Sequence, residues 1–395
     1  MADMEVEEQE VVENLMNQEV STKFQTAAEI VNKTLTGLLG YADEGKTALE
    51  ICKFGDLLIT QQCSMVFKAK KIEKGIAFPT CVSVNECVCH YSPLQSDGAI
   101  PVLKAGDVVK VDLGVHIDGF PVVVAHTFVV APKGGSPSAI DGKKADVIAA
   151  AYTAAEAAVK CIRDGEPNDK ITETIKMVSE DFGVKPVQGV LMHQMKRFVI
   201  DGNDVVIGRE ELDQKVESFN FEKGGVYTVD VVMSTGEGKP IQKEARTTVF
   251  KRAADQKYML KMKASRQVMS TIDKEYTTFP FGIGSFKDEK TARMGVVECI
   301  KHDLLHPYPV LFEKPGEIVA HFKYTVLLFG SGPSKVTGAA VDPSQLQTEK
   351  KPREEVQALL ALEVKKNKKN KKKSGAASAN AANPPAAPDA METSD

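Results

Sequence analysis

Apolar positions along the chain follow two alternating periods. Between Thr22 and Leu39, the residues Phe24, Ala28, Val31, Leu35 and Leu38 recur at helical spacing, and a second helix carries Leu49, Cys52, Leu57 and Ile59. Short strands are predicted around 75–92. Residues 108–130 then form two β-branched, apolar runs on either side of Asp118-Gly119, the pattern of a β-hairpin with a tight turn. The first of these strands carries one carboxylate, Asp112. The position expected to face it across the pair is Val123, which has no ligand atom.

The same order of elements recurs further on. An Ala-rich helix near 143–161 is followed by a helix near 168–182, a strand at 187–196 and a second hairpin at 225–249. The repeat is visible in letters, G-D-V-V-K-V-D ending at Asp112 against G-G-V-Y-T-V-D ending at Asp230. Two helix-helix-strand-hairpin units of this kind predict one α+β domain with a pseudo-two-fold repeat and a carboxylate from each half at its centre. Residues 251–310 interrupt the second unit. Ser265 is placed to cap a helix carrying Val268, Met269 and Ile272, and a further helix is expected from Asp288 to Leu305. The strand 318–329 closes the domain.

Composition adds the ends. The chain has 395 residues, 43% of them apolar, enough for a sizeable core, and a net charge of −4 that conceals an asymmetry. Residues 1–15 are acidic and expected to be disordered, 16–330 form the domain, 331–364 read as a linker with one short helix near 353–364, and 365–395 as a disordered lysine-rich tail. Lys365, Lys366, Lys368, Lys369, Lys371, Lys372 and Lys373 form a dense cationic run suited to polyanions or to nuclear targeting. The insertion adds Lys251, Arg252, Lys257, Lys261, Lys263 and Arg266 as a second candidate RNA contact. No secretory signal or membrane-spanning run is visible. Seven cysteines in mostly apolar surroundings fit a reducing compartment with buried thiols, and Cys87-Val88-Cys89-His90 lacks the second ligand pair a zinc site needs.

Neither a nucleophile signature nor a phosphate-binding loop is present. On residues alone His193, on its strand, reads more readily as a core histidine than as a ligand. His90 could equally be packing, His116 is expected to be exposed near its turn, and His126 lies on the strand face opposite Val123. Val356-Gln357-Ala358-Leu359-Leu360 approximates an L-x-x-L-L partner helix, but docking onto the domain is the simpler expectation.

Five ordered segments carry a resemblance: Gly75 to Ser92, the V-D-L-G hairpin, the His193 strand, V-Y-T-V-D, and A-H-F-K-Y-T-V-L-L. They resemble methionine aminopeptidases over about residues 15–330, with the insertion at 251–310 similar to the type 2 subfamily. R-M-G-V-V-E-C, G-V-H-I-D-G-F and the lysine tail are most similar to the proliferation-associated, ErbB-receptor-binding family, non-peptidase relatives of those enzymes. The resemblance implies a pita-bread (creatinase/methionine aminopeptidase-like) fold. Carried over position by position, the enzymes' two-metal site falls on Asp112, Val123, His193, Asp230 and Lys323, and His90 matches the substrate-contacting histidine. Active enzymes carry Asp, Asp, His, Glu and Glu there, so Val123 and Lys323 are losses and Asp230 is one methylene short.

Electrostatics argues the same way. An ammonium ~4 Å from a dication at an effective dielectric of ~20 repels it by about 8 kcal/mol, comparable to a micromolar binding energy. Lys323 is therefore expected to stand in for metal as an internal counter-ion between Asp112 and Asp230. The expected function is that of a non-catalytic binding protein without metal or cofactor, with a residual metal-dependent aminopeptidase as the alternative. The resemblance implies structured RNA, ribosomal subunits and regulatory proteins such as receptor tails or transcription co-repressors as partners. It implies roles in ribosome biogenesis, translation or transcription, in cytoplasm, nucleus and nucleolus.

Overall fold

The computed structural model describes residues 13–135, 139–211 and 214–362. The lysine run at 365–373 and the first twelve residues lie outside them. The chain divides into a unit of residues 1–364 and a separate unit of 365–395.

Across the main sheet the strands run in the order 74–84, 108–117, 120–129, 319–329, 226–234, 191–195, 205–207, with 332–335 and 185–186 added off this path. Helices α1 (Gln18–Tyr41) and α2 (Ala48–Met65) pack on its first half, and α3 (Gly142–Cys161) and α4 (Asp169–Phe182) cover the second. Strand alternation assigns both pairs to one face. Val109, Val111, Leu113, Val122 and Val124 point into the core under α1 and α2. Val229, Val231, Phe322 and Tyr324 point into the core under α3 and α4. Asp112, Ala125, Lys323 and Asp230, at the alternate positions, therefore share the other face.

The two halves meet at the 120–129 and 319–329 strands, where the backbone register is held by one pair, Lys323 opposite Ala125. Two threonines replace the missing ladder. The Thr127 hydroxyl donates to the His321 carbonyl and accepts from its N–H, both at 2.7 Å. The Thr325 hydroxyl accepts from the Val123 N–H at 2.9 Å and donates to its carbonyl at 3.0 Å. Each threonine lies two residues beyond the central pair on its own strand, so the seam is itself two-fold related.

Several local expectations hold. Asp118 and Gly119 both take positive φ, +54° and +78°, as a type I′ hairpin turn requires, and a Cβ on Gly119 would meet the Phe198 ring at 2.6 Å. α7 (Glu354–Ala361) docks on the core, with Val356 fully buried and Arg353 ion-paired to Asp181 at 2.8 Å.

Others are corrected. Residues 13–15 are ordered, because Leu15 enters the core and Glu13 pairs with Arg197. The segment 331–347 is no linker: 332–335 pairs with 326–329, Thr337 is buried, and 346–347 forms a parallel pair with 140–141. The expected second hairpin at 225–249 does not form. The 226–234 strand pairs instead with 319–329 and 191–195, since its apolar face needs the distant strand to complete the core. Ser265 is buried inside α5 (Lys263–Glu275) rather than capping it; the entry to that helix is held by Glu298, whose carboxylate accepts the N–H groups of Lys261 and Met262. α5 and α6 (Glu289–Lys301) share a small core of their own with Phe250, Phe281 and Leu305.

Replacing Thr325 by Val strands the Val123 amide at the seam, while the Val123 carbonyl keeps the Thr337 hydroxyl at 2.9 Å. A loss of roughly 1–3 kcal/mol is expected, measured as a lower urea midpoint with an unchanged slope.

Candidate functional site

The site is one row of residues running across four strands. Asp112 lies opposite Ala125, Ala125 opposite Lys323, and Lys323 opposite Asp230. With strands about 4.8 Å apart, Asp112 and Lys323 stand nearly 10 Å apart at the backbone. Ala125 offers only a methyl group between them, so the lysine stem crosses over it. The Lys323 ammonium reaches Asp112 Oδ2 at 2.9 Å and Asp230 Oδ2 at 3.1 Å, the placement its counter-ion role demands. It also sits 5.5 Å from the centre of the Phe78 ring.

Asp230 has a second partner, His321, whose Nε2 donates to Oδ1 at 2.7 Å. Burial alone would raise the Asp230 carboxyl, but the Lys323 ammonium and then His321 hold it well below the usual carboxylate range. Burial likewise opposes the charge on Lys323, and the carboxylates of Asp112 and Asp230 outweigh it, raising the lysine above its ordinary value. Asp112 Oδ1 is left buried without a hydrogen-bond partner.

Above this row lies a cavity of about 260 Å³ lined by Phe78, His90, Val123, His193, Tyr308 and Lys323 among others. His90 adopts φ +63°, and its Nδ1 donates to the Pro309 carbonyl at 3.1 Å. Its ring packs edge-on to Tyr308 at 5.2 Å and near Phe78 at 5.9 Å. Burial lowers its pKa to about 4. His193 donates Nδ1 to the Gly202 carbonyl at 3.0 Å. Val123 faces Gly114, where an added Cβ would meet Phe78 at 3.0 Å and Val123 at 3.1 Å. The absence of a side chain at Gly114 is what lets the valine and the phenylalanine close up there.

A two-metal centre does not fit this donor set. Both carboxylates already bind an ammonium, Val123 contributes no donor, and among the described residues no group of three or more His, Cys, Asp and Glu is arranged to hold a metal ion. No reaction step can be routed through such a centre here.

The structure thus brings together Asp112, Val123, His193, Asp230, Lys323 and His90 at one cavity. His321 was missed, though it stands two residues before Lys323 on the same strand face, a period-two signal that could have found it. His116 is a correction. It is buried and stacked on Phe279 at 4.5 Å, because the returning 276–282 segment covers the turn that local sequence leaves open. His126 is also buried and lines a different cavity, away from Asp112. Of the basic insertion residues, Lys251 pairs with Asp201 and Arg252 with Asp273, so their charges are neutralised locally. Lys257, Lys261, Lys263 and Arg266 are exposed.

Comparison with known proteins agrees with this geometry. The profile of metallopeptidase family M24 matches residues 22–252, ending just ahead of α5 and α6. ErbB-3 binding protein 1 of Solanum tuberosum is 47% identical over 92% of this chain and 92% of its own. Proliferation-associated protein A of Dictyostelium discoideum is 42% identical over 85% and 87%. Among solved structures, a thermophilic Arx1 superposes with a TM-score of 0.84 at 29% identity, covering 89% of this chain and all of that one. The fold and its vestigial site define a pita-bread protein. The chain belongs to metallopeptidase family M24 and, within it, to the branch of the proliferation-associated and ErbB-3 binding proteins.

Replacing Lys323 by Met leaves two buried carboxylates without a counter-charge and is expected to cost about 3–5 kcal/mol. Adding Asp112→Asn should recover part of that loss in chemical denaturation. Acid should also destabilise the protein. Burial lowers His90, His116 and His126 to about 4 each, whereas the unfolded imidazoles protonate near 6.5. Between those values the unfolded state binds more protons, so stability falls as pH drops from about 6.5 towards 4. Melting temperatures at pH 7, 6 and 5 should decline steadily; a flat profile would contradict the burial of neutral imidazoles.

Proposed function

We propose that this chain is a non-catalytic aminopeptidase-like binding protein that associates with structured RNA and ribosomal subunits and serves as an adaptor for regulatory proteins. The observation that carries the first part is the Lys323 ammonium bound to both Asp112 and Asp230. A hydrolase of this fold needs those oxygens for metal and needs a further carboxylate where Val123 stands. The cationic group occupies the centre that would otherwise hold and activate water.

The binding part rests on charge and on relatives. Seven lysines between 365 and 373 favour polyanions through counter-ion release, with strong salt dependence and weak sequence preference. Lys257, Lys261, Lys263 and Arg266 add exposed positive charge on the α5 side. Relatives named for ErbB-3 binding and, in Schizosaccharomyces pombe, for binding curved DNA support partner recognition as the retained activity of this branch. The resemblance to enzymes that act on nascent chains favours the ribosome as the site of action, with passage through cytoplasm, nucleus and nucleolus.

Two measurements test this. Gradient sedimentation with ribosomal subunits should show co-migration of the full chain, lost or strongly reduced on deleting 365–373 and in raised salt; co-migration indifferent to both would contradict the electrostatic mode. Incubation with a Met-Ala-Ser peptide in cobalt or manganese should release no methionine, and stoichiometric turnover would overturn the non-catalytic reading.

A further inference from the structure

The outer face of α6 is apolar where a solvent-facing helix should be polar. Its exposed positions are Lys290, Met294, Val297 and Lys301, spaced four, three and four residues apart, so they form one stripe along the helix. Met294 is 51% and Val297 62% exposed. The opposite face, Ala292, Gly295, Val296 and Cys299, is buried against α5. At Gly295 an added Cβ would lie 2.5 Å from Val268, so the helix pair is packed as closely as it can be and the stripe cannot rotate inward.

A second strip runs beside the first. Glu298 accepts the backbone N–H groups of Lys261 and Met262, and the Tyr258 ring stacks on His302 at 3.5 Å between centres. These contacts lay residues 258–262 along the Glu298–His302 flank of α6. Met259 is 87% exposed there and Met262 is 39% exposed. Beside Met259 a shallow depression opens over Leu260 and Met269. Exposed Met259 and Met262 on the strip and Met294 and Val297 on α6 thus all belong to one small, separately cored part of the protein.

Lysines surround this region: Lys257, Lys261 and Lys263 from the strip, and Lys290 and Lys301 at the two ends of the α6 stripe. Among the described residues none of the five forms an ion pair, in contrast to the neighbouring Lys251 and Arg252. We propose that this face is a docking surface for an acidic amphipathic helix of a partner protein. The apolar side of that helix would lie on Met294, Val297, Met259 and Met262, and its carboxylates would meet the lysine rim.

Charge complementarity selects an acidic occupant, and the apolar centre selects protein over nucleic acid. Phosphates gain nothing from thioethers or a valine, and the one aromatic of the strip, Tyr258, already stacks one face on His302. Burial of exposed methionine and valine, by contrast, contributes through the hydrophobic effect, and unbranched methionines adapt to a helix laid across them. The stripe's helical spacing matches the ridges of a second helix. This proposal is independent of the RNA reading, which rests chiefly on residues 365–373, although it shares the three lysines of the strip.

The test uses the full chain and a fluorescent synthetic peptide of about 18 residues, long enough for roughly five helical turns. The peptide carries Leu and Phe at helical i, i+3, i+4, i+7 spacing and Glu and Asp elsewhere. Its control replaces the apolar residues by Ser at the same charge. Anisotropy should show saturable binding of the peptide and at least about tenfold weaker binding of the control. The surface double variant Met294→Ser/Val297→Ser should lose peptide affinity by about the same factor while its melting temperature and its sedimentation with ribosomal subunits stay unchanged. Equal binding of peptide and control, or a double variant with full affinity, would overturn the proposal. So would loss of RNA or ribosome binding in the double variant, which would assign the face to nucleic acid, or a concentration-dependent dimer that the variant abolishes, which would assign it to a second copy of this chain. Deleting 365–373 should leave peptide binding intact, so the RNA reading can fail without this one failing.

Discussion

Two carboxylates on one side of a central sheet, walled by apolar strands, cannot both stay charged without a cation between them. In this protein the cation is Lys323, and much of the surrounding structure serves its placement. Asp112 and Asp230 come from strands on opposite sides of the lysine's own neighbourhood, and Ala125 keeps the path to the farther one open. His321 takes the remaining oxygen of Asp230, and Phe78 covers the ammonium with its ring. The result is a charge-compensated ionic cluster, with Asp112 Oδ1 its one unpartnered oxygen, at the floor of a cavity lined by Phe78, Tyr308 and aliphatic side chains together with His90, His193 and Asp201.

The cluster marks where an internal two-fold repeat is broken. The seam around the Ala125–Lys323 pair is symmetric in its hydrogen bonds, with Thr127 and Thr325 bridging in the same manner from opposite strands. The same operation relates Asp112 to Asp230 and Ala125 to Lys323. Two equivalent positions with opposite demands, a methyl that makes room and an ammonium that fills it, can arise only once the two halves have diverged. The fold keeps the symmetric part because it joins the sheets. The asymmetric part carries the ion cluster of Lys323 with Asp112 and Asp230.

Much of this was legible from the chain. Two β-branched, apolar runs around Asp118-Gly119 marked the 108–130 hairpin, and the repeated Val-Asp ending picked out Asp230 as the partner of Asp112. The identity of the bridging lysine followed from resemblance and charge balance rather than from local pattern. What escaped was non-local. No short-range signal says that 226–234 pairs with a strand some ninety residues later, that a returning segment buries His116, or that 332–347 folds back onto the sheet and α3. His321 escaped for a smaller reason: a lone histidine two residues from a lysine gains meaning only when the carboxylate it binds is known to lie on the next strand.

Within the described residues, the same scaffold leaves exposed positive and apolar side chains at the α5–α6 segment, on a small core of its own. The claim that matters most is that Lys323 has replaced metal. Equilibrium dialysis of the full chain against micromolar cobalt or manganese, with bound metal counted per chain, measures it directly. The account predicts no stoichiometric uptake. One or two ions held per chain at micromolar affinity, and released when Asp112 or Asp230 is changed to Asn, would contradict it.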